Sequence, residues 1–329
     1  MNNLKVELRT GTPYANLLAN HLMFATAVAD CFGVRNVDCI PTTGATGAIE
    51  AVRNHVFRIR SKERPTILTV CPEYWRARES FAGFGFTAID LHTEPFDFAI
   101  AESMLIARAQ ETKPDLIYLS LPNNPTGAIF DPEVVVAGVS EDTAVVLDLT
   151  LPCRAIDSRV LTGDLYRKFQ DRKNLFLAGS TSKSHGTAEH RIGWVICANS
   201  DDAAQLKKEN RNVVASASAA EATKQLTREA TVIELIESSF ELLKYGERGG
   251  VFAVVEPDRR VKTGYVLIRA RPDPKEFRNV LDQRGIQVMW GSEFGLSDRY
   301  LRLETLEPRN VGIFVETVNG ASWTRTASA

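Results

Sequence analysis

The sequence predicts an α/β fold: a large three-layer α/β/α domain around a mostly parallel sheet, followed by a smaller α+β domain at the C-terminal end. Three observations carry this expectation. From about residue 38 to 200, short β-rich apolar runs alternate with helical patterns. The runs are continuously apolar, which marks strands covered on both faces. The segment 263–305 then reads strand, helix, strand, strand, a different and more compact layout.

In chain order, residues 1–37 read as a helical segment, with "YANLLANHLMFATAVADCFGV" strongly periodic. "PTTGATGAIEAV" (41–52) is a glycine turn opening a helix. The strands that follow are "PTILTV" (65–70), "FTAIDL" (86–91), "DLIYLSL" (115–121), "TAVVLDL" (143–149), "NLFLAG" (174–179) and "GWVICA" (193–198). A long helical stretch over roughly 201–247, rich in Ala, Glu, Lys and Leu, stops at the glycines of "YGERGG". "TGYVLIRA", "DPKEFRNVLDQRG", "IQVMW" and "YLRLET" form the compact unit, and the small polar tail "ASWTRTASA" reads as frayed. The expected division is an N-terminal helical segment (1–37), a large domain (38–225), and a small C-terminal domain with its linking helix (226–329).

Composition narrows the function classes. At 329 residues, 44% hydrophobic and 24% charged, the chain reads as a globular protein of one large and one smaller domain. Lys+Arg 39 against Asp+Glu 41 gives a net charge of −2, which calls for neither nucleic acid nor an anionic membrane. No apolar run reaches the roughly 20 residues of a membrane span, and the N-terminus lacks the layout of a signal peptide. Five scattered cysteines without a C-x-x-C suggest reduced thiols and a cytoplasmic location. The five histidines show no metal-binding spacing, so no metal site is expected.

In an open parallel sheet, ligands bind beyond the carboxyl ends of the strands. Four successive strand ends carry chemistry here: Tyr74-Trp75, then Asn124 in "NNPTG", then Asp148, then Ser180-Thr181-Ser182-Lys183 with Arg191 eight residues on. Singly, each has a plain reading as packing, turn former, helix cap or surface charge. Together they suit pyridoxal phosphate. A lysine forms a Schiff base with its aldehyde carbon, and a carboxylate keeps its pyridine nitrogen protonated. An amide reaches its ring oxygen, an aromatic face stacks on it, and hydroxyls, an arginine and a helix N-terminus hold its phosphate.

"NNPTG" (123–127), Asp148, "STSKSHGTAEHRIGW" (180–194) and "YLRLE" (300–304) resemble the fold-type I pyridoxal-phosphate enzymes of the class I/II aminotransferases, with spacing similar to the histidinol-phosphate aminotransferase-like branch. The resemblance runs from about Tyr14 to Arg302. It implies a large cofactor-binding domain and an enzyme that moves an amino group between an amino acid and a 2-oxo acid. Lys183 is then the Schiff-base lysine and proton shuttle, Asp148 the pyridine partner, Asn124 the ring-oxygen contact and Tyr74 the stacking residue. The amides of Ala45 and Thr46, the hydroxyls of Ser180 and Ser182, and Arg191 would hold the phosphate. Arg302, with Asn124, would receive the substrate, its guanidinium clamping the α-carboxylate. Tyr14 resembles the tyrosine that crosses to the neighbour's phosphate, which implies a homodimer with shared active sites.

The sequence departs from the family at several points. Leu151 stands where an aromatic usually follows the aspartate, removing a hydrogen bond to the ring oxygen. Ala45 replaces a common hydroxyl residue, Glu189 and His190 replace a common apolar lead-in, and the N-terminal arm is short. His185 is expected to be structural. The same lysine, aspartate and arginine also serve decarboxylation, elimination, or amino-acid cyclisation and oxidation, which stand as the alternative. "TGATGAIE" also looks like a dinucleotide-binding turn, but Glu50 occupies the place of its third glycine and the Ser-Thr-Ser-Lys block would be left without a role. A non-catalytic relative is disfavoured by the intact Lys183, Asp148 and Arg191.

Overall fold

A computed structural model describes residues 13–60, 63–210, 216–226, 228 and 232–323. The chain opens with α1 (Pro13–Phe32), β1 (Cys39–Thr43) and α2 (Gly44–Arg60). Next come β2 (Thr66–Cys71), α3 (Trp75–Gly83), β3 (Thr87–His92), α4 (Glu102–Thr112), β4 (Leu116–Ser120) and α5 (Pro132–Gly138). β5 (Ala144–Asp148), α6 (Ser158–Lys168), β6 (Leu175–Ser180), the four-residue α7 (Thr181–Ser184) and β7 (Ile192–Cys197) complete the strands of the large sheet. After α8 (Ser200–Glu209), α9 (Ser216–Leu226) and α10 (Ile233–Glu247) come β8 (Phe252–Val254), β9 (Tyr265–Ala270), α11 (Pro274–Gln283), β10 (Met289–Trp290), β11 (Tyr300–Glu304) and α12 (Pro308–Gly320).

Among the described residues, seven strands form one sheet in the order β1-β7-β6-β5-β4-β2-β3. It is parallel except for β7, which runs antiparallel to both β1 and β6. Because side chains alternate along a strand, each apolar run feeds two cores. Leu68, Ile117, Leu119, Val145, Leu147 and Leu177 join one cluster with helices α1, α4, α5, α6 and α9. Ile67, Leu116, Tyr118, Val146 and Phe176 join the other with α2, α3 and α8. Covering both faces produces the expected three-layer α/β/α arrangement and explains why the runs show no period of two. The edge strand β3 has no buried residue, and its Asp90 pairs with Arg78 at 2.8 Å, a charged edge that discourages further strand pairing.

The helical stretch expected over 201–247 is divided into α8, α9 and α10. Ala219, Ala222 and Leu226 of α9 sit in the large-sheet core, whereas Ile236, Phe240 and Leu243 of α10 sit in a separate core. One straight helix cannot serve both. Asn199 caps α8, its side chain accepting from the amides of Asp201 and Asp202. The second core lies under an antiparallel sheet ordered β10-β11-β9-β8. Val266, Ile268, Leu301 and Leu303 face that core with α10, α11 and α12. Their neighbours Tyr265, Leu267, Tyr300, Arg302 and Glu304 therefore stand on the opposite face. The sequence reading overlooked β1, β8 and α12, and the strand expected in "IQVMW" is confined to Met289–Trp290.

Candidate active site

The carboxyl ends of β1, β2, β4, β5 and β6 lie along one edge of the large sheet, together with the amino end of the reversed β7. This puts Gly44, Tyr74, Asn124, Asp148, Ser180-Lys183 and Arg191 on the same side. β7 matters here: its reversal brings Arg191 to the start of α2, 147 positions away in the chain but joined through the Thr43–Ile192 register.

Gly44 opens α2 with φ +73°, and a Cβ there would lie 2.6 Å from the Arg191 guanidinium. A Cβ on Gly193 would fall 2.2 Å from the Gly44 carbonyl carbon. The two glycines thus let β7 and an arginine approach the first turn of α2, whose leading N–H groups have no intrahelical acceptor. Arg191 donates to the carbonyls of Ala188 at 3.1 Å and Thr43 at 3.2 Å, which fixes it at that turn. Ser180, paired with Gly193 across β6 and β7, caps α7 by accepting from the Ser182 amide at 3.0 Å, and donates to the Ser182 hydroxyl at 2.8 Å. These contacts gather Ala45, Thr46, Ser180, Ser182 and Arg191 about the starts of α2 and α7, a grouping of backbone and side-chain donors of the kind that suits an anion.

Asp148 is buried at the end of β5, beside Ser120 of β4 and Ala178 of β6. The Tyr118 hydroxyl donates to its Oδ2 at 2.8 Å and the Thr150 amide to its Oδ1 at 3.1 Å. Burial raises its pKa, with the hydrogen bonds from Thr150 and Tyr118 opposing. Each oxygen retains acceptor capacity for a further donor. Tyr74 reaches the same region: burial and then Asp148 raise its pKa, and its hydroxyl bonds Thr46. Trp75 instead carries the Arg76 guanidinium 4.7 Å from its ring centre. Of the two aromatics, Tyr74 joins Asp148 and the start of α2.

Lys183, on α7, faces the second sheet. Its Nζ lies 2.8 Å from Glu304 Oε1 and 4.9 Å from the centre of the Tyr265 ring. Arg302 holds its guanidinium 4.0 Å from the same ring centre, donates to Asn124 Oδ1 at 3.3 Å, and lies 2.7 Å from Met289 Sδ. Tyr265 is the cross-strand partner of Glu304, and Arg302 is two residues along the same face. Burial pulls the Lys183 pKa down, but Tyr265 and Glu304 outweigh it, and the net shift is upward. Arg302 is lowered by burial, with Tyr265 and Tyr74 opposing.

The structure therefore brings together Lys183, Asp148, Tyr74, Asn124, Arg302 and the donors about the starts of α2 and α7. Tyr14 falls in α1, where its side chain lies outside the described residues. His185 bonds Ser184 Oγ at 2.8 Å and approaches the Arg228 carbonyl at 3.4 Å rather than Lys183. Glu189 and His190 pair with each other at 3.4 Å, Glu50 is exposed on α2, and Leu151 is buried. Sequence reasoning missed Glu73, Tyr118, Tyr265 and Glu304. Glu304 stood inside the quoted "YLRLE", whose period of two put it on the same face as Arg302, and Glu73 directly precedes the Tyr74-Trp75 pair. Tyr118 and Tyr265 gave no comparable local signal. Among the described residues no group of three or more His, Cys, Asp or Glu side chains could hold a metal ion, and no helix is long and apolar enough to cross a membrane.

Comparison with known proteins agrees with this fold. The family model "Aminotransferase class I and II" matches residues 11–318. The chain is 28% identical to a histidinol-phosphate aminotransferase of Wolinella succinogenes over 57% of its own length and 53% of that protein, so the match spans about half the length of this relative. Among solved structures, the histidinol-phosphate aminotransferase of Clostridium acetobutylicum shares the fold at TM-score 0.77 and 16% identity, over 92% of this chain and 88% of that one. That of Sinorhizobium meliloti, solved in complex with pyridoxal-5'-phosphate, does so at TM-score 0.71 and 20% identity, over 92% and 82%. With fold, strand-end residues and a family match over nearly its whole length in agreement, this chain belongs to the class I and II aminotransferase family.

Proposed function

We propose that this chain is a pyridoxal-phosphate-dependent aminotransferase that moves an amino group between an amino acid and a 2-oxo acid. One observation carries the reading: a lysine, a buried carboxylate and an arginine laid against a glycine at a helix start converge from adjacent strand ends, Lys183 after β6, Asp148 on β5 and the Gly44–Arg191 contact between β1 and β7. The residues fit the cofactor. Gly44, where a Cβ would meet Arg191, lets the guanidinium lie against the first turn of α2, where it and the leading N–H groups would hold a single phosphate. Asp148, with one hydrogen bond at each oxygen, can still accept from a pyridinium N–H.

When bound, the cofactor supplies an electron-withdrawing ring against which a bond at the amino acid's Cα can ionise. The chain's own residues do the rest. Ala45, Thr46, Ser180, Ser182 and Arg191 would hold the phosphate, and Tyr74 would offer its face to the ring. Asp148 would keep the ring nitrogen protonated, and Asn124, whose Oδ1 accepts from Arg302, would have its NH2 free to donate to the ring oxygen. Arg302 orients the substrate carboxylate through its planar fork of donors. The Lys183 amine moves a proton to and from the substrate carbon; Glu304, beside Nζ, favours its charged form until that proton is needed.

The change of core between Leu226 and Val232 supports a large cofactor-holding domain to about residue 225 and a smaller one from 226 onward. A homodimer with shared active sites follows from reading Tyr14 as a partner's phosphate contact, and a monomer at working concentration would overturn it. All five cysteines are free, which suits the cytoplasm. The deciding experiment is borohydride reduction of the purified protein followed by peptide mass analysis, with reduced cofactor expected on Lys183. Amino acids are then screened for conversion of the cofactor's visible band into that of its amine form. Absence of label on Lys183 sinks the reading.

A further inference from the structure

Glu73 lies in the turn after β2, between Pro72 and Tyr74, and is fully buried. Four donors converge on its carboxyl. Oε1 accepts from the Tyr74 amide at 2.8 Å and contacts the Ser120 hydroxyl. Oε2 accepts from the Ser120 amide at 3.0 Å and from the Asn123 side chain at 3.3 Å. Ser120 Oγ in turn accepts the Asn124 amide at 2.9 Å. A continuous chain of hydrogen bonds thus runs from the backbone of Tyr74 through Glu73 and Ser120 to the backbone of Asn124. These named partners are neutral, which is an expensive setting for a buried carboxylate unless its hydrogen bonds specify geometry.

We propose that Glu73 is a positioning residue that locks the Tyr74 turn to the Asn124 loop, fixing the spacing between the aromatic face and the amide of the site. The functional part of this inference rests on the reading of Tyr74 and Asn124 as cofactor contacts. The donor set explains why a carboxylate is required. An amide of the same shape would point its NH2 at a backbone N–H whichever way it is turned. The lock is also proton-linked. Ionised Glu73 lets the Ser120 hydroxyl donate to Oε1 while accepting from Asn124. Protonated, Glu73 donates to Ser120 Oγ and the serine hydroxyl must turn away. Burial pushes Glu73 up to about 8, against hydrogen bonds from Ser120 and Tyr74. The titratable groups coupled to it are Asp148 on β5 and Tyr118 on β4, while Tyr74 on its own turn meets it through the backbone amide.

The test compares the full chain with its Glu73→Gln and Ser120→Ala variants by amide hydrogen exchange, corrected for intrinsic rates, between pH 6.5 and 9. Without cofactor, Glu73→Gln is expected to speed exchange at both Tyr74 and Asn124 by about tenfold or more, the effect of losing a hydrogen bond to a charged group. Ser120→Ala is expected to speed Asn124 and spare Tyr74. Protection of both loops in the unmodified chain should rise through about pH 8, and Glu73→Gln should show no such step. Exchange that changes in only one loop of Glu73→Gln, or a pH step that survives in it, overturns the proposal. Pyridoxal phosphate is then added, and Glu73→Gln should bind it about tenfold more weakly. Coupled exchange in an unmodified chain that takes up no pyridoxal phosphate supports the lock and overturns the cofactor reading instead.

Discussion

Asp148, Lys183 and Arg191 stand at the ends of strands in the large sheet, whereas Tyr265, Arg302 and Glu304 stand along strands of the small one. The first group is held by backbone features: a strand end bonded to the Thr150 amide, a serine-capped turn of helix, and an arginine at φ +51° donating to two carbonyls. The second is held largely by side chains on one another, two cations sharing the Tyr265 ring and one carboxylate reaching across to Lys183. Strand-end turns set positions within a few residues and tolerate little change. A polar face along an antiparallel pair can be varied one residue at a time. Under the proposed function, the first group would be the chemical centre with fixed geometry and the second a substrate wall open to adjustment.

The largest effect should come from the fixed side. Lys183→Ala is expected to abolish borohydride labelling and to lower amino-group transfer by about a hundredfold to ten-thousandfold through lost proton transfer, read in single-turnover absorbance traces. Asp148→Asn should cost on the order of a hundredfold in kcat, the scale for losing one fixed electrostatic partner; wild-type kcat in this variant would remove Asp148 from the ring-nitrogen role. Arg302→Lys is next. It keeps the charge but loses the fork, and about 1.5–3 kcal/mol of charged hydrogen bonding corresponds to roughly a ten- to hundredfold fall in kcat/KM, carried by the amino-acid substrate and absent from cofactor affinity. If cofactor affinity falls instead, Arg302 belongs with the fixed group and the contrast between the two walls fails.

Two smaller effects sharpen the comparison. Gly193→Ala must push β7 off the start of α2, since the added Cβ would lie 2.2 Å from Gly44. About 1–3 kcal/mol of stability should be lost in denaturant melts, as for overpacking, together with phosphate affinity. Glu304→Gln should leave stability within about 1 kcal/mol, as for a half-exposed ion pair. Its signature is in pH: Glu304 raises the Lys183 pKa, so its removal moves the pH at which the amine loses its proton downward. Competitive acylation of Lys183 across pH in the cofactor-free chain measures this. An unchanged profile would show that the pair does not tune the amine.

Much of the candidate site's placement was legible in the sequence. An apolar strand must end somewhere, and "LSLPNNPTG", "VVLD" and "AGSTSK" announce both the end and the polar residue delivered there. Arg191 and Arg302 were legible through motif spacing. Tyr265 and Tyr118 were not, because a strand tyrosine with no local partner looks like packing whether it meets a core or a lysine. Glu73 was passed over between two more conspicuous neighbours, and its partners Ser120 and Asn123 lie about fifty residues away on another strand end.

The sequence by itself determined the alternation of helix and strand, the two-faced burial of the large sheet and the order in which Tyr74, Asn124, Asp148 and Lys183 reach its edge. Each follows from local periodicity and from the rule that parallel strands end on one side. Tertiary structure decided the rest: the reversal of β7 that lays Arg191 against Gly44, the separate cores that divide α9 from α10, and the register that sets Tyr265 opposite Glu304 and beneath Arg302. These are contacts between residues far apart in the chain, set by strand pairing and packing, and no stretch of sequence carries the partner's address.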